Sequence, residues 1–217
     1  MKIKNLEKLG YKLGNVSKMP AFSWGISAFD CKVGSKLAKI KGTTCYNCYA
    51  MKGFYSFKPV KFSHRKRLKV MSNEYYVSGM THMLKLKYKR LPKEKRYFRW
   101  FDSGDLQSVE MLKKICDIAW RTIDIKHWLP TREYKIVDAF IKKYGEVYIP
   151  DNLTIRLSAV KVNGKPPTFW KYTSTVHTKE KKWIGKNCPA ITSGTHKCGD
   201  CRLCWNKSEK NISYEQH

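Results

Sequence analysis

Apolar residues along this 217-residue chain keep two rhythms, and the changes of rhythm mark the elements. Short aromatic or aliphatic runs at "RYFRWFD" (96–102), "IKHWLPT" (125–131) and "LTIRLSAV" (153–160) predict strands. Between the first two, Met111, Leu112, Ile115 and Ala119 share one face of a helix over roughly 109 to 121, which Ser108 can cap. Cys116 falls on that apolar stripe and reads as a buried thiol. "REYKIVDAFIKKYG" (132–145) is a second helix, ended by Gly145 just past its last turn. Upstream, Tyr76, Met80, Met83 and Leu84 place a helix in the second half of 63–91. "MPAFSWGISAFDC" holds a short strand leading to Cys31, and the chain beyond 160 reads as irregular.

Strand, helix, strand, helix, strand predicts an α/β fold with a mostly parallel sheet and right-handed crossovers. Functional residues in such sheets lie just past the carboxyl ends of the strands. Those positions are Ser103-Gly104-Asp105, Thr131-Arg132 and Ser158. Two units follow: residues 1–175 carry the sheet and a first metal site, and 176–217 form a cysteine-rich segment.

Charge then narrows the partner. Lys plus Arg number 44 against 17 Asp plus Glu, a net +27 spread through the whole chain, which points to a polyanion such as DNA or RNA. A lysine-rich composition that serves only solubility is the plainer alternative. No stretch approaches the ~20 apolar residues of a membrane span, and the first residues lack an apolar leader core, so a cytoplasmic protein is expected, in the host cell if phage-encoded. In that reducing setting eight cysteines imply metal more than disulfides.

Cys188, Cys198, Cys201 and Cys204 form a C-x9-C-x2-C-x2-C run, enough thiolates to close one coordination sphere. The overlapping C-x2-C gaps favour a four-iron cluster, with zinc as the alternative. Cys31, Cys45 and Cys48 number only three. They suit either a zinc site completed by a distant ligand such as His64, or a 4Fe-4S cluster with one iron left open. His127 is expected to face sheet or helix, and His196 to sit in a loop.

The loop ending "CYNCY", the helix after it and the strand that ends in "SGD" resemble the radical S-adenosylmethionine (SAM) enzymes. The resemblance implies a partial (β/α) barrel in which Cys31, Cys45 and Cys48 hold a cluster whose open iron chelates SAM. It implies that Tyr49 is the aromatic residue after the last ligand. Ser103, Gly104 and Asp105 would contact the methionine amine, Ser158 the ribose, and the four late cysteines an auxiliary cluster. The spacing here is C-x13-C-x2-C, where that family usually has C-x3-C-x2-C. A second resemblance covers most of the chain: "MPAFSWGI", "RWFDSGDLQSVEML", "IRLSA", the late "C-x2-C-R-x-C-W" and the ending "ISYEQH" are similar to a bacteriophage protein family known by a gene-product number. It implies nothing about activity, and its ending would fold His217 back near a site.

Three functions fit these residues. The first is a radical SAM-like phage enzyme modifying bases of a nucleic acid or nucleotide, with Asp105 and Ser103 in its catalytic site and Trp100, Trp128 or Trp170 stacking on a base, core packing being the plainer reading for at least two of the three. The second is a nucleic-acid-binding protein that metal only staples. The third is a metal-dependent nuclease using Asp102 and Asp105, with Glu110 nearby on a first helical turn, where a carboxylate needs no metal to be stable.

Overall fold

The computed structural model describes residues 1–216, with the backbone alone at Ile191; His217 lies outside them. Eight strands make one open sheet in the order β1–β2–β3–β4–β5–β6–β8–β7. They are β1 (Gly14–Asn15), β2 (Phe22–Trp24), β3 (Tyr97–Trp100), β4 (Lys126–Thr131), β5 (Leu153–Val162), β6 (Thr173–His177), β7 (Lys186–Asn187) and β8 (Asn211–Glu215). Only β1 runs antiparallel to its neighbour; every other adjacent pair is parallel.

A short helix, α1 (Ile3–Leu6), opens the chain. Then α2 (Lys32–Leu37), α3 (Lys58–Met71) and α4 (Tyr76–Tyr88) fill the crossover from β2 to β3. The next two crossovers use α5 (Val109–Trp120) and α6 (Tyr134–Tyr144), and α7 (Pro189–Thr192) follows β7. The two helices between strands form as their sequence dictates. Ser108 Oγ accepts the Met111 N–H at 3.1 Å to cap α5. Gly145, at φ 77°, ends α6 and donates to Ile141 O at 2.8 Å.

Strands β2 to β6 lie side by side in chain order, so successive right-handed crossovers carry their helices to the same face. Alternation along each strand then separates two kinds of packing. Phe98, Trp100, Leu129, Ile155 and Leu157 meet Met80, Leu112, Ile115 and Phe140 from the helices. Tyr97 and Trp128 point the other way and pack against Cys204, Trp205 and Ile212 from the C-terminal segment. Arg156, fully buried on this second side, donates to the carbonyls of Cys204, Leu203, Asn206 and Glu209 at 3.1, 3.1, 2.6 and 2.9 Å. Thr154 Oγ1 adds a bond to Trp205 O at 3.0 Å. The tail is therefore held by main-chain acceptors as well as by apolar contact.

Two expectations change. The chain beyond 160 is not irregular: it supplies β6, β7 and β8, and the 175/176 boundary falls inside β6, whose neighbours are β5 and β8. Trp100, Trp128 and Trp170 are all buried, which removes them as stacking platforms for a base. Cys116 is buried as expected. No helix of the described residues is long and apolar enough to cross a membrane.

His127 shows how the helix-covered face tolerates a titratable group. Trp100 Nε1 donates to its Nδ1 at 3.2 Å, and Thr122 Oγ1 lies 2.9 Å from its Nε2. The Thr122 hydroxyl itself donates to Ile118 O at 2.7 Å, so Nε2–H must be the donor of that pair and the ring is neutral. Burial pushes its pKa down to about 3. The depressed value means that the unfolded chain takes up a proton first as pH falls. Stability is complete above about pH 6.5 and falls by about 1.4 kcal/mol per pH unit from there towards pH 3. In urea titrations between pH 7 and 4, His127→Gln is expected to show a slope with pH shallower by that amount. Equal slopes would contradict a neutral buried ring.

Candidate metal centre and cofactor site

The loops after β2, β3 and β4 and the far end of β5 meet at one edge of the sheet. The chain leaves β2, makes a turn capped by Ser27 and reaches Cys31, which precedes α2. Glu133, just past β4, accepts the Val33 N–H at 2.8 Å and so fixes the start of α2 behind Cys31. The loop that brings Cys45 is zipped to β5. Thr44 N donates to Val160 O at 2.9 Å, Thr44 Oγ1 to Ala159 O at 3.0 Å, and Val162 N to Gly42 O at 2.9 Å. Cys48 N–H then donates to Cys45 O at 3.1 Å, closing the C-x2-C turn.

Gly34 marks where the first two thiols converge. A Cβ there would lie 3.6 Å from Cys31 Sγ and 3.6 Å from Cys45 Sγ, and 3.2 Å from Cys31 Cβ. Burial raises the Cys31 thiol, and Asp105, Cys45, Cys48 and Glu133 raise it further by their negative charge. Burial also raises Cys45, while the Arg132 guanidinium opposes the shift. Cys31 and Cys45 thus approach one another beside Gly34, and Cys48 follows Cys45 in the same turn. Among the described residues, however, no three His, Cys, Asp or Glu side chains are drawn tightly enough to hold one metal ion. His64 packs on Tyr55 with ring centres 6.1 Å apart, and the charges around it are Arg67, Asp102 and Asp30, none of them a cysteine.

The turn after β3 completes the edge. Phe101 enters the left-handed region at φ 53°, its N–H donating to Trp24 O at 2.7 Å, and Ile26 N–H donates to Ser103 O at 3.0 Å. Gly104 follows at φ 80°. Asp105 is buried and fully engaged: Oδ1 accepts from Leu106 N at 2.8 Å and Thr131 Oγ1 at 2.6 Å, and Oδ2 from Arg132 N at 2.9 Å. Burial pushes its pKa up to about 6 although those three donors pull the other way. Ser103 Oγ and Asp102 Oδ1 are buried without a partner among the described residues. Tyr49 is exposed, and its hydroxyl donates to Asp102 O at 2.9 Å. Ser158 lies level with the residue after β4, because Thr131 pairs with Leu157, and its hydroxyl is 3.0 Å from Ser174 Oγ.

The late cysteines gather on the second sheet face. Cys188 N–H donates to Ser213 O at 2.8 Å, Cys198 N–H to Lys18 O at 3.0 Å, and Cys201 N–H to Cys198 O at 2.8 Å. Cys204 Sγ is 3.2 Å from the Tyr214 hydroxyl, and burial pushes its thiol up to about 12, with Cys188 and Cys198 adding to the rise. His196 is exposed in the intervening loop.

With this geometry in place, the comparison with known proteins is decisive on one point. The family model for Gene product 88 matches residues 2–207. The chain belongs to the Gene product 88 family. The match spans both cysteine groups and strands β1 to β7, and β8 lies beyond it. No curated protein and no solved structure matches the chain.

Sequence reasoning placed Cys31, Cys45, Cys48, Ser103, Gly104, Asp105 and Ser158 at this edge, and the fold brings them there. It missed Glu133, Thr44 and Gly34. Glu133 stands beside Thr131 and Arg132 in "PTRE", directly after a predicted strand, and that position was its signal.

Proposed function

We propose that this Gene product 88 family member is an iron–sulfur protein of radical SAM-like mechanism acting on a nucleic acid or nucleotide. One observation carries the reading. Cys31 from the loop after β2 and Cys45 from the C-x2-C turn that also holds Cys48 close on Gly34, at the carboxyl edge of a parallel sheet that also carries the Ser103-Gly104-Asp105 turn. That arrangement is the open counterpart of a (β/α) barrel mouth.

Cys31, Cys45 and Cys48 would hold a 4Fe-4S cluster, with Cys31 and Cys45 closing on Gly34 and Cys48 following Cys45 in the same turn. A reduced cluster bound there would supply the electron for reductive cleavage of SAM. The chain's own residues do the rest. Asp105 ties the β3 turn to the end of β4, so it positions Ser103 and Gly104. The unpartnered Ser103 Oγ and Asp102 Oδ1 are acceptors suited to the methionine ammonium, and Ser158 is placed to meet a ribose hydroxyl. Arg132, whose Nε donates to Thr44 Oγ1 at 2.9 Å, brings a positive charge beside Cys45 that offsets crowded thiolates. Cys188, Cys198, Cys201 and Cys204 would hold a second cluster or a zinc ion that fastens the tail. The nuclease reading fits less well, since Asp105 is buried and three protein donors already occupy its carboxylate, two on Oδ1 and one on Oδ2.

The test is anaerobic loading with iron and sulfide, followed by SAM and dithionite. The expected result is a brown protein absorbing near ~400 nm that forms 5′-deoxyadenosine. Cys48→Ser should lose product formation at least ~100-fold while the sheet stays folded. Intact iron with no SAM cleavage would retire the mechanism, and colourless zinc-loaded protein would favour the metal-stapled binder.

A further inference from the structure

The segment from Ala28 to Lys69 holds eleven Lys and Arg residues and one acidic residue, Asp30. The same segment turns large aromatic side chains outward: Phe54 is 78% exposed, Phe62 70% and Phe57 53%, with Phe29, Tyr46 and Tyr49 also exposed. These rings cost free energy in water, and nothing in the fold covers them.

They are held in order. Phe54 and Phe57 lie with ring centres 5.2 Å apart, and Lys61 Nζ sits 4.8 Å over the Phe29 ring. On α3, Lys58, Phe62, Arg65 and Lys69 are all exposed and follow one another at helical spacing, so they form a single outward stripe of cation, ring, cation, cation. None of these three cations is in an ion pair among the described residues. The aromatic turn 53–57 leads directly from the Cys45–Cys48 loop, so the patch flanks the candidate site.

We infer that this face binds single-stranded nucleic acid, its cations tracking phosphates and Phe54, Phe57 and Phe62 stacking on bases. Charge selects the class of partner: a second copy of the chain would bring like charge against like, whereas a polyanion is attracted. The rings select the strand state. Bases in a duplex are already stacked on one another and offer a protein only groove edges and phosphates, while unpaired bases present bare faces. An anionic lipid surface also takes rings and cations, but α3 shows one ring among three cations and lacks the broad apolar face of a membrane-surface helix. The inference deepens the proposed reading by naming the form of its substrate. It is read as binding, so it can fail while SAM cleavage succeeds, and the reverse.

The test uses full-length protein and fluorescence anisotropy with dye-labelled oligothymidylate and oligouridylate of about twenty nucleotides, a duplex of the same length, and phosphatidylserine vesicles. Either single strand is expected to bind at least ~10-fold more tightly than the duplex. Phe54→Ala/Phe62→Ala should weaken single-strand binding by roughly 10- to 100-fold at unchanged salt dependence, leave duplex binding within about 2-fold, and melt like the parent because both rings are exposed. Equal affinity for duplex and single strand, or a double variant that binds single strands normally, would overturn the inference. So would a double variant that loses only vesicle binding.

Discussion

Arg156→Met is expected to destabilise the protein by about 4 kcal/mol and to free its C-terminal segment. The side chain is wholly buried, and its guanidinium reaches four carbonyls, those of Leu203, Cys204, Asn206 and Glu209, of which only Leu203 O also accepts a backbone N–H, that of Asn206. Methionine matches the volume and fills the space, so the loss comes from acceptors stranded without water. Limited proteolysis should then cut between β6 and β8 faster than in the parent, and urea unfolding should show the reduced stability. Arg156→Lys, with one compact ammonium in place of a planar fork, should recover only part of it. A change within about 0.5 kcal/mol would mean that the tail is held by Trp205 and Ile212 alone.

Gly104→Ala is the second large effect, and it acts on the site itself. The residue sits at φ 80°, and a Cβ would lie 2.4 Å from Ile26 Cγ1 and 2.8 Å from Ile26 O. The strained backbone and the clash with a fully buried neighbour together cost about 3 kcal/mol or more. The shift would also pull Ser103 and Asp105 out of place, so SAM-dependent product formation should fall further than stability does. Gly53→Ala is the control: φ is also positive, at 52°, yet nothing lies within 4 Å of the added carbon, and the expected cost is about 1 kcal/mol. Equal melting curves for the two variants would remove close packing against Ile26 as the reason for glycine.

The middle of the sheet was legible because its strands and helices bury apolar residues at the periods that define them. Phe98 and Trp100, then Leu112 and Ile115, then Leu129, then Val137 and Phe140 fall where the pattern puts them. β6 and β8 were invisible to that logic. Apart from Ile212, their buried residues are polar and satisfy one another: Thr173 with Asn211 at 2.8 Å, Thr175 with Ser213 at 3.1 Å, His177 with Ser213 at 2.7 Å. A hydrophobicity pattern reads such a strand as loop, although every hydroxyl is spoken for. At the site, cysteine spacing identified the ligand candidates, and strand ends identified the serine, glycine and aspartate. Core packing, the plainer reading for at least two of Trp100, Trp128 and Trp170, holds for all three, while Phe54, Phe57 and Phe62 face outward, because orientation is decided by the fold around a ring and not by the ring.

Each of the three early thiols is tethered to a different part of the sheet. Cys31 depends on Glu133 past β4, Cys45 on the Thr44 bonds to β5, and the turn after Cys48 on the bond from Tyr49 to Asp102. Those anchors lie 53 to 116 residues away along the chain. A nascent chain that has emerged only as far as Cys48 can therefore close the local Cys45–Cys48 turn but lacks the anchors that set Cys31 against it. Bringing Cys31 to the other two must wait until β4 and β5 have left the ribosome and docked, so the half-made chain presents its thiols apart.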